Sequence, residues 1–129
     1  MDSDTSDDMA SGSKARDRGL KGDKVPQWKA VSKTTFAEWW YEMDSYCATN
    51  GLDRTVTGED RGEKHSSDEK KQRKYEKKSR KLWRAIMSGI GDETVNGKAL
   101  RLMIKNDFKD DKHDGFALAE HLKRWANHQ

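Results

Sequence analysis

A chain of 129 residues that is 38% charged and only 32% hydrophobic has apolar material for one small domain and no more. No apolar run approaches the ~20 residues of a membrane-spanning helix and no signal-peptide core opens the chain, so the expectation is a soluble, cytoplasmic protein without a membrane partner. The single cysteine, Cys47, excludes an internal disulfide and a zinc knuckle or Cys-rich finger within the chain, and the net charge of +3 conceals strong segregation of acids from bases.

Residues 1–24 hold Asp2, Asp4, Asp7 and Asp8 and then turn basic from Lys14, with almost nothing apolar to bury. They are expected to form a disordered charged leader. Order should begin at VPQW, where Val25, Pro26 and Trp28 can lie as an extended arm on the domain.

The stretch FAEWWYEMDSYCATNGL then predicts a helix with both ends specified. Thr35 and Glu38 form a capping-box pattern. Phe36, Trp39, Trp40, Met43, Tyr46 and Cys47 recur at helical steps and share one face. Gly51 suits the left-handed residue after the helix, with Leu52 folding back onto Cys47. Adjacent indoles point ~100° apart on a helix. Trp40 continues the Phe36–Met43–Cys47 stripe and is expected to be buried, leaving Trp39 to touch a partner.

Residues 53–69 offer Val56 and two glycines among polar residues, which reads as a mobile linker. Ser66 with Glu69 is a second capping-box pattern, opening a long helix with Tyr75, Leu82, Trp83 and Ile86 facing inward. Its first two turns lack an apolar anchor and are expected to fray. Gly89, Gly91 and Gly97 then interrupt the pattern, with Asp92 expected to cap a short helical turn. Leu100, Met103, Ile104 and Phe108 give a further helix to about residue 109. After a polar corner, Asp114 caps a last helix carrying Leu118, Leu122, Trp125 and Ala126. No segment alternates with period two, so the fold class is all-α: a small bundle of four to five helices spanning 25–129. The stop just after an apolar helix leads to the expectation of a fragment. On that expectation Leu118 and Trp125 join Trp39 as residues for self-association.

Candidate chemistry is sparse. In DDKHDG, Asp114 and Gly115 fall at calcium-loop positions 5 and 6, but Lys112 occupies position 3 and His121 position 12. His113, His121 and His128 lie near Asp110, Asp111 and Glu120, yet His121 and His128 are seven residues apart rather than one helical turn. Both groups read as solvated surface. Cys47 sits on the apolar face and reads as a small buried hydrophobe. No phosphate loop, nucleophile elbow or carboxylate pair appears, so neither catalysis, cofactor nor small-molecule substrate is expected.

What remains is KKQRKYEKKSRKLWR at 70–84. Lys70, Lys71, Arg73, Lys74, Lys77, Lys78, Arg80, Lys81 and Arg84 face a single acid, Glu76. Such a run can hold RNA phosphate without sequence preference, or it can be merely a solvated helix face. Tyr75 and Trp83 could stack bases, but their spacing with Leu82 and Ile86 favours a place in the core.

The order of these features resembles the N-terminal part of the Gag polyprotein of copia-type LTR retrotransposons. Phe36, Trp40 beside Trp39, Met43, Tyr46, Gly51 and Leu52 match its first helix and helix end. After a charged linker, Trp83, Ile86, Ile90, Asp92 and Glu93 match a second helix and its turn. The likeness spans roughly residues 26–110, with a linker and basic helix more charged than is usual there. The resemblance implies a capsid-like domain that self-associates into a shell around element RNA and has no catalytic activity. Two other classes are a basic nucleic-acid-binding module using the 70–84 helix and a helical protein-interaction adaptor.

Overall fold

The computed structural model describes residues 24–109 and 113–127. The expectations for the leader and for the corner at 110–112 fall outside the described residues. Five α-helices follow in order: α1 (Phe36–Thr49), α2 (Asp53–Thr57), α3 (Glu69–Gly89), α4 (Val95–Asp107) and α5 (Gly115–Asn127), with a short 3₁₀ turn at Arg61–His65 between α2 and α3. Among the described residues the one bridge of β type is isolated, joining Trp28 to Ile90. The fold is all-α.

The core forms where α3 packs on α5 and α2 packs on α1, α3 and α5. Phe36, Met43 and Cys47 from α1, Leu82 and Ile86 from α3, Leu100 and Ile104 from α4, and Leu118 and Leu122 from α5 are all buried there. Trp83 is half-buried at the margin, where its ring meets Phe108 edge-on at 5.2 Å.

The arm before α1 decides which tryptophan of the Trp39–Trp40 pair is buried. Trp28 N–H donates to the Gly89 carbonyl at 2.8 Å, and Gly91 N–H donates back to the Trp28 carbonyl at 3.0 Å. This seats the arm beside the end of α3, where a Cβ on Gly89 would stand 2.7 Å from the Pro26 carbonyl oxygen. The Trp28 ring then stacks on Trp39 with centroids 4.6 Å apart, and the Trp39 indole N–H donates to the Pro26 carbonyl at 3.0 Å. A buried indole needs such an acceptor. The expectation is therefore reversed: Trp39 is buried, and Trp40 is half-buried at the edge of the stripe, stacked on Phe36 under Lys123.

Helix ends also differ from the sequence expectation. The Thr35 hydroxyl does not cap α1. It donates to the Ala30 carbonyl at 2.6 Å and accepts from the Trp28 indole at 2.8 Å, tying arm to helix. Asp68 rather than Ser66 caps α3, accepting from Lys70 N–H at 3.0 Å. Thr94 rather than Asp92 caps α4, accepting from Gly97 N–H at 3.0 Å. With that cap, the short turn and the further helix are one helix running through Gly97. The expected ending of α1 is present: Gly51 has φ +73°, and Leu52 N–H reaches back to the Cys47 carbonyl at 2.7 Å.

Segment 53–69 is ordered structure rather than a loose linker. Leu52, Thr55 and Val56 are buried, and the Thr55 hydroxyl donates to Asp60 Oδ2 at 2.8 Å. Gly58, at φ +86°, ends α2 beneath the Phe116 ring, where a Cβ would come within 2.6 Å of a ring carbon. One apolar residue was too little signal, yet Val56 joins the core, and the Thr55–Asp60 contact and the Phe116 ring hold the rest of the segment.

Candidate nucleic-acid interface

The buried face of α3 sets the orientation of its cations. Tyr75, Ser79, Leu82, Ala85, Ile86 and Gly89 point into the core. At 100° per residue, Lys70, Arg73, Lys74, Lys77, Arg80, Lys81 and Arg84 fall within an arc of roughly 120° on the opposite side. All seven are exposed. Lys71 and Lys78 lie toward one flank of the inward face, with Lys78 partly covered. From residue 70 to 84 the row runs about 21 Å at the α-helical rise.

Few acids oppose this row. Arg73 lies 3.8 Å from Glu69 one turn earlier, an exposed pair of little energetic weight. Among the described residues, none of the other eight basic side chains is in an ion pair. Repulsion between these like charges favours a counter-charge supplied from outside.

The two aromatics of the segment serve the fold. Tyr75 is buried, so it offers no face to a base. Trp83 is shared between Phe108 and the His113 ring at 5.1 Å. The surface therefore offers contacts to phosphate rather than base stacking, which carries no sequence preference.

A polar latch at the start of α3 fixes the neighbouring segments. Arg61 makes a two-pronged contact with Asp114, with nitrogen–oxygen distances of 3.2 and 3.0 Å. Its guanidinium carbon lies 4.6 Å from the Phe116 ring centroid, and Lys64 stands 3.9 Å from the same carboxylate. Asp114 also caps α5, as the sequence led us to expect, accepting from Ala117 N–H at 3.1 Å. Burial works against ionising Asp114, but the Arg61 hydrogen bonds, the Ala117 N–H and the nearby cations outweigh it and hold the carboxyl below its ordinary range. The sign follows from linkage. A carboxyl with a depressed folded pKa stabilises above its unfolded value of about 4 and loses that contribution as pH falls through the folded pKa. Asp114→Asn should therefore melt below the wild type near neutral pH, and the gap should close as pH drops below about 4. Melts over a pH series check this; a gap constant with pH would show that the charge of Asp114 does not stabilise the fold.

The remaining candidates are structural. Cys47 is fully buried, and burial with the nearby Asp44 and Asp53 charges pushes its thiol up to about 12, so no reactive thiolate forms at neutral pH. His121 is half-buried rather than solvated, with Nε2 3.0 Å from Asp107 Oδ2 but not aligned as a hydrogen bond, and its ring meets Phe108 edge-on. His128 lies outside the described residues, within which no cluster of three metal-ligating side chains occurs. No helix among the described residues is long and apolar enough to cross a membrane.

The expected self-association set is overturned at two of its three positions. Trp39 and Leu118 are buried, the first against Trp28 and the second within the hydrophobic core. Trp125 is half-buried, edge-on to Trp28 at 6.1 Å, and borders an open groove of about 460 Å3 with Leu100 and Met103. Sequence reading missed Arg61, because its partner lies 53 residues away and its segment reads as linker. No protein-family model matches the chain, and neither the curated proteins nor the solved structures yield a match.

Proposed function

We propose that this chain is a non-enzymatic assembly domain that holds RNA through the outward face of α3, as the capsid-like part of a copia-type Gag polyprotein would. The observation that supports the reading is the row of seven exposed cations, only one of them in an ion pair among the described residues, carried opposite the buried face of a 21-residue helix. A helix of that kind presents charge at regular spacing without spending backbone ordering entropy on each contact. Sequence order adds the Gag-like succession of a tryptophan-rich helix, a charged segment and a W-x-x-I helix.

The test is binding of a labelled single-stranded RNA, followed by fluorescence anisotropy at low salt. Reversing Lys77, Lys81 and Arg84 to Glu should weaken binding by more than about tenfold while leaving the helical circular dichroism unchanged. Undiminished binding by the folded triple variant would reduce the row to a solvated helix face.

A further inference from the structure

Three large hydrophobic side chains stand exposed among the described residues: Tyr41 at 68%, Val95 at 83% and Leu102 at 59%. They fall on two helices of opposite charge. Tyr41 lies on α1 diametrically opposite the Trp39–Met43 core side, flanked by Glu38, Glu42 and Asp44. The α1 sequence contains these three acids and no base. On α4, Val95, Ala99 and Leu102 line up at i, i+4 and i+7, opposite buried Gly97, Leu100 and Ile104. Lys98 and Lys105 border that apolar line on one side. None of these acids or lysines is in an ion pair within the described residues.

We propose that the outward face of α1 on one copy of this chain docks on the outward face of α4 on a second copy. Tyr41 seats against Val95, Ala99 and Leu102, while Glu38 and Glu42, which share one flank of Tyr41, meet Lys98 and Lys105. This rests on the assembly reading above and names its surface. The occupant is a second copy because the two faces complete each other. Each supplies the charge the other lacks, and together they cover every large exposed apolar side chain described. The outward arc of α3 is cationic too, but it carries no apolar residue for Tyr41 and is left open for phosphate.

Two different patches in contact make a head-to-tail interface unless a two-fold axis closes both contacts within one dimer, and the pairing proposed here is the open one. Such an interface propagates into rings or open arrays instead of stopping at a dimer. One helix laid on one helix buries less than the ~1,600 Å2 of a standard stable interface, so each contact is weak and needs repetition. That is the behaviour an assembling shell requires.

Sedimentation of the full chain over a concentration series tests the pairing with two variants at exposed positions, Tyr41→Arg and Leu102→Asp. Each places a like charge against the opposing face, which should raise the dissociation constant at least about tenfold. Wild type should form species larger than dimers, and each variant alone should stay monomeric with unchanged circular dichroism. Their equimolar mixture should associate again, because the unaltered α1 of the Leu102→Asp variant meets the unaltered α4 of the Tyr41→Arg variant and the two introduced charges are opposite. A mixture that stays monomeric overturns the head-to-tail pairing. Variants that associate as wild type does overturn this surface and leave assembly standing. A wild type that is monomeric at every concentration overturns both. Loss of association on reversing Lys77, Lys81 and Arg84 to the same extent as in Leu102→Asp would also overturn α4 as the acceptor face.

Discussion

Trp39→Ala should unfold the domain or bring it close to unfolding, whereas Trp40→Ala should leave it folded. The Trp39 side chain is only 4% exposed, stacked on Trp28, in edge contact with Phe36 and hydrogen-bonded through its indole to Pro26. Truncating a buried tryptophan removes about 3–5 kcal/mol. Small domains hold about 5–15 kcal/mol in total. The variant also leaves the Pro26 carbonyl without its donor and the Trp28 ring without its stacking partner, so the arm should loosen with the core. Trp40 keeps solvent on part of its surface and loses mainly the Phe36 stack and the Lys123 contact. Urea unfolding of the two variants decides the ranking. Equal losses, or a greater loss for Trp40→Ala, would show that the arm does not determine which indole is covered.

Gly115→Ala should be the other severe change. A Cβ at Gly115 would stand 2.5 Å from the Ser79 carbonyl oxygen and 2.6 Å from Leu82 Cβ, where α3 and α5 cross. The Gly115 N–H also donates to the Ser79 hydroxyl at 3.1 Å. Because the nearest atom is backbone, no rotamer change relieves the clash; the helices must part. Overpacking of this kind costs about 1–3 kcal/mol or more, which lowers the melting temperature by about 4–8 °C per kcal/mol in a domain of this size. Gly62→Ala is the matched control, since nothing lies within 4 Å of a Cβ there. If both variants melt together, the close approach of α3 and α5 at Gly115 is not what limits stability.

The two predictions also show which parts of the fold were legible in the sequence. Periodicity found α1, α3 and α5, because Phe36–Met43–Cys47, Leu82–Ile86 and Leu118–Leu122 each repeat at helical spacing, and all are buried. Periodicity chose Trp40, which continues the stripe, over Trp39; the arm reversed that choice, through a contact from Pro26 that no local pattern encodes. Capping was misassigned for a similar reason. Thr35, Ser66 and Asp92 all have cap-forming side chains, but Asp68 and Thr94 lie nearer the true helix starts, and Thr35 is engaged by Trp28 and Ala30. The segment at 53–69 was illegible because its order depends on Arg61 meeting Asp114 across 53 residues. The cationic row, in contrast, was plain in the composition of residues 70–84. The structure added its direction: with Tyr75, Ser79, Leu82 and Ile86 inward, seven of the nine charges point outward together.

The salt dependence of RNA binding tests that row most directly. Each phosphate neutralised on a single strand contributes about −0.7 to the slope of log K against log salt. Replacing Lys77, Lys81 and Arg84 with Ala removes three candidate contacts from the centre and end of the row. If α3 holds the phosphates, the triple variant should bind more weakly and its slope should be shallower than that of the wild type by about 2. An unchanged slope with unchanged affinity would contradict the account, placing any RNA contact on some other surface of the chain.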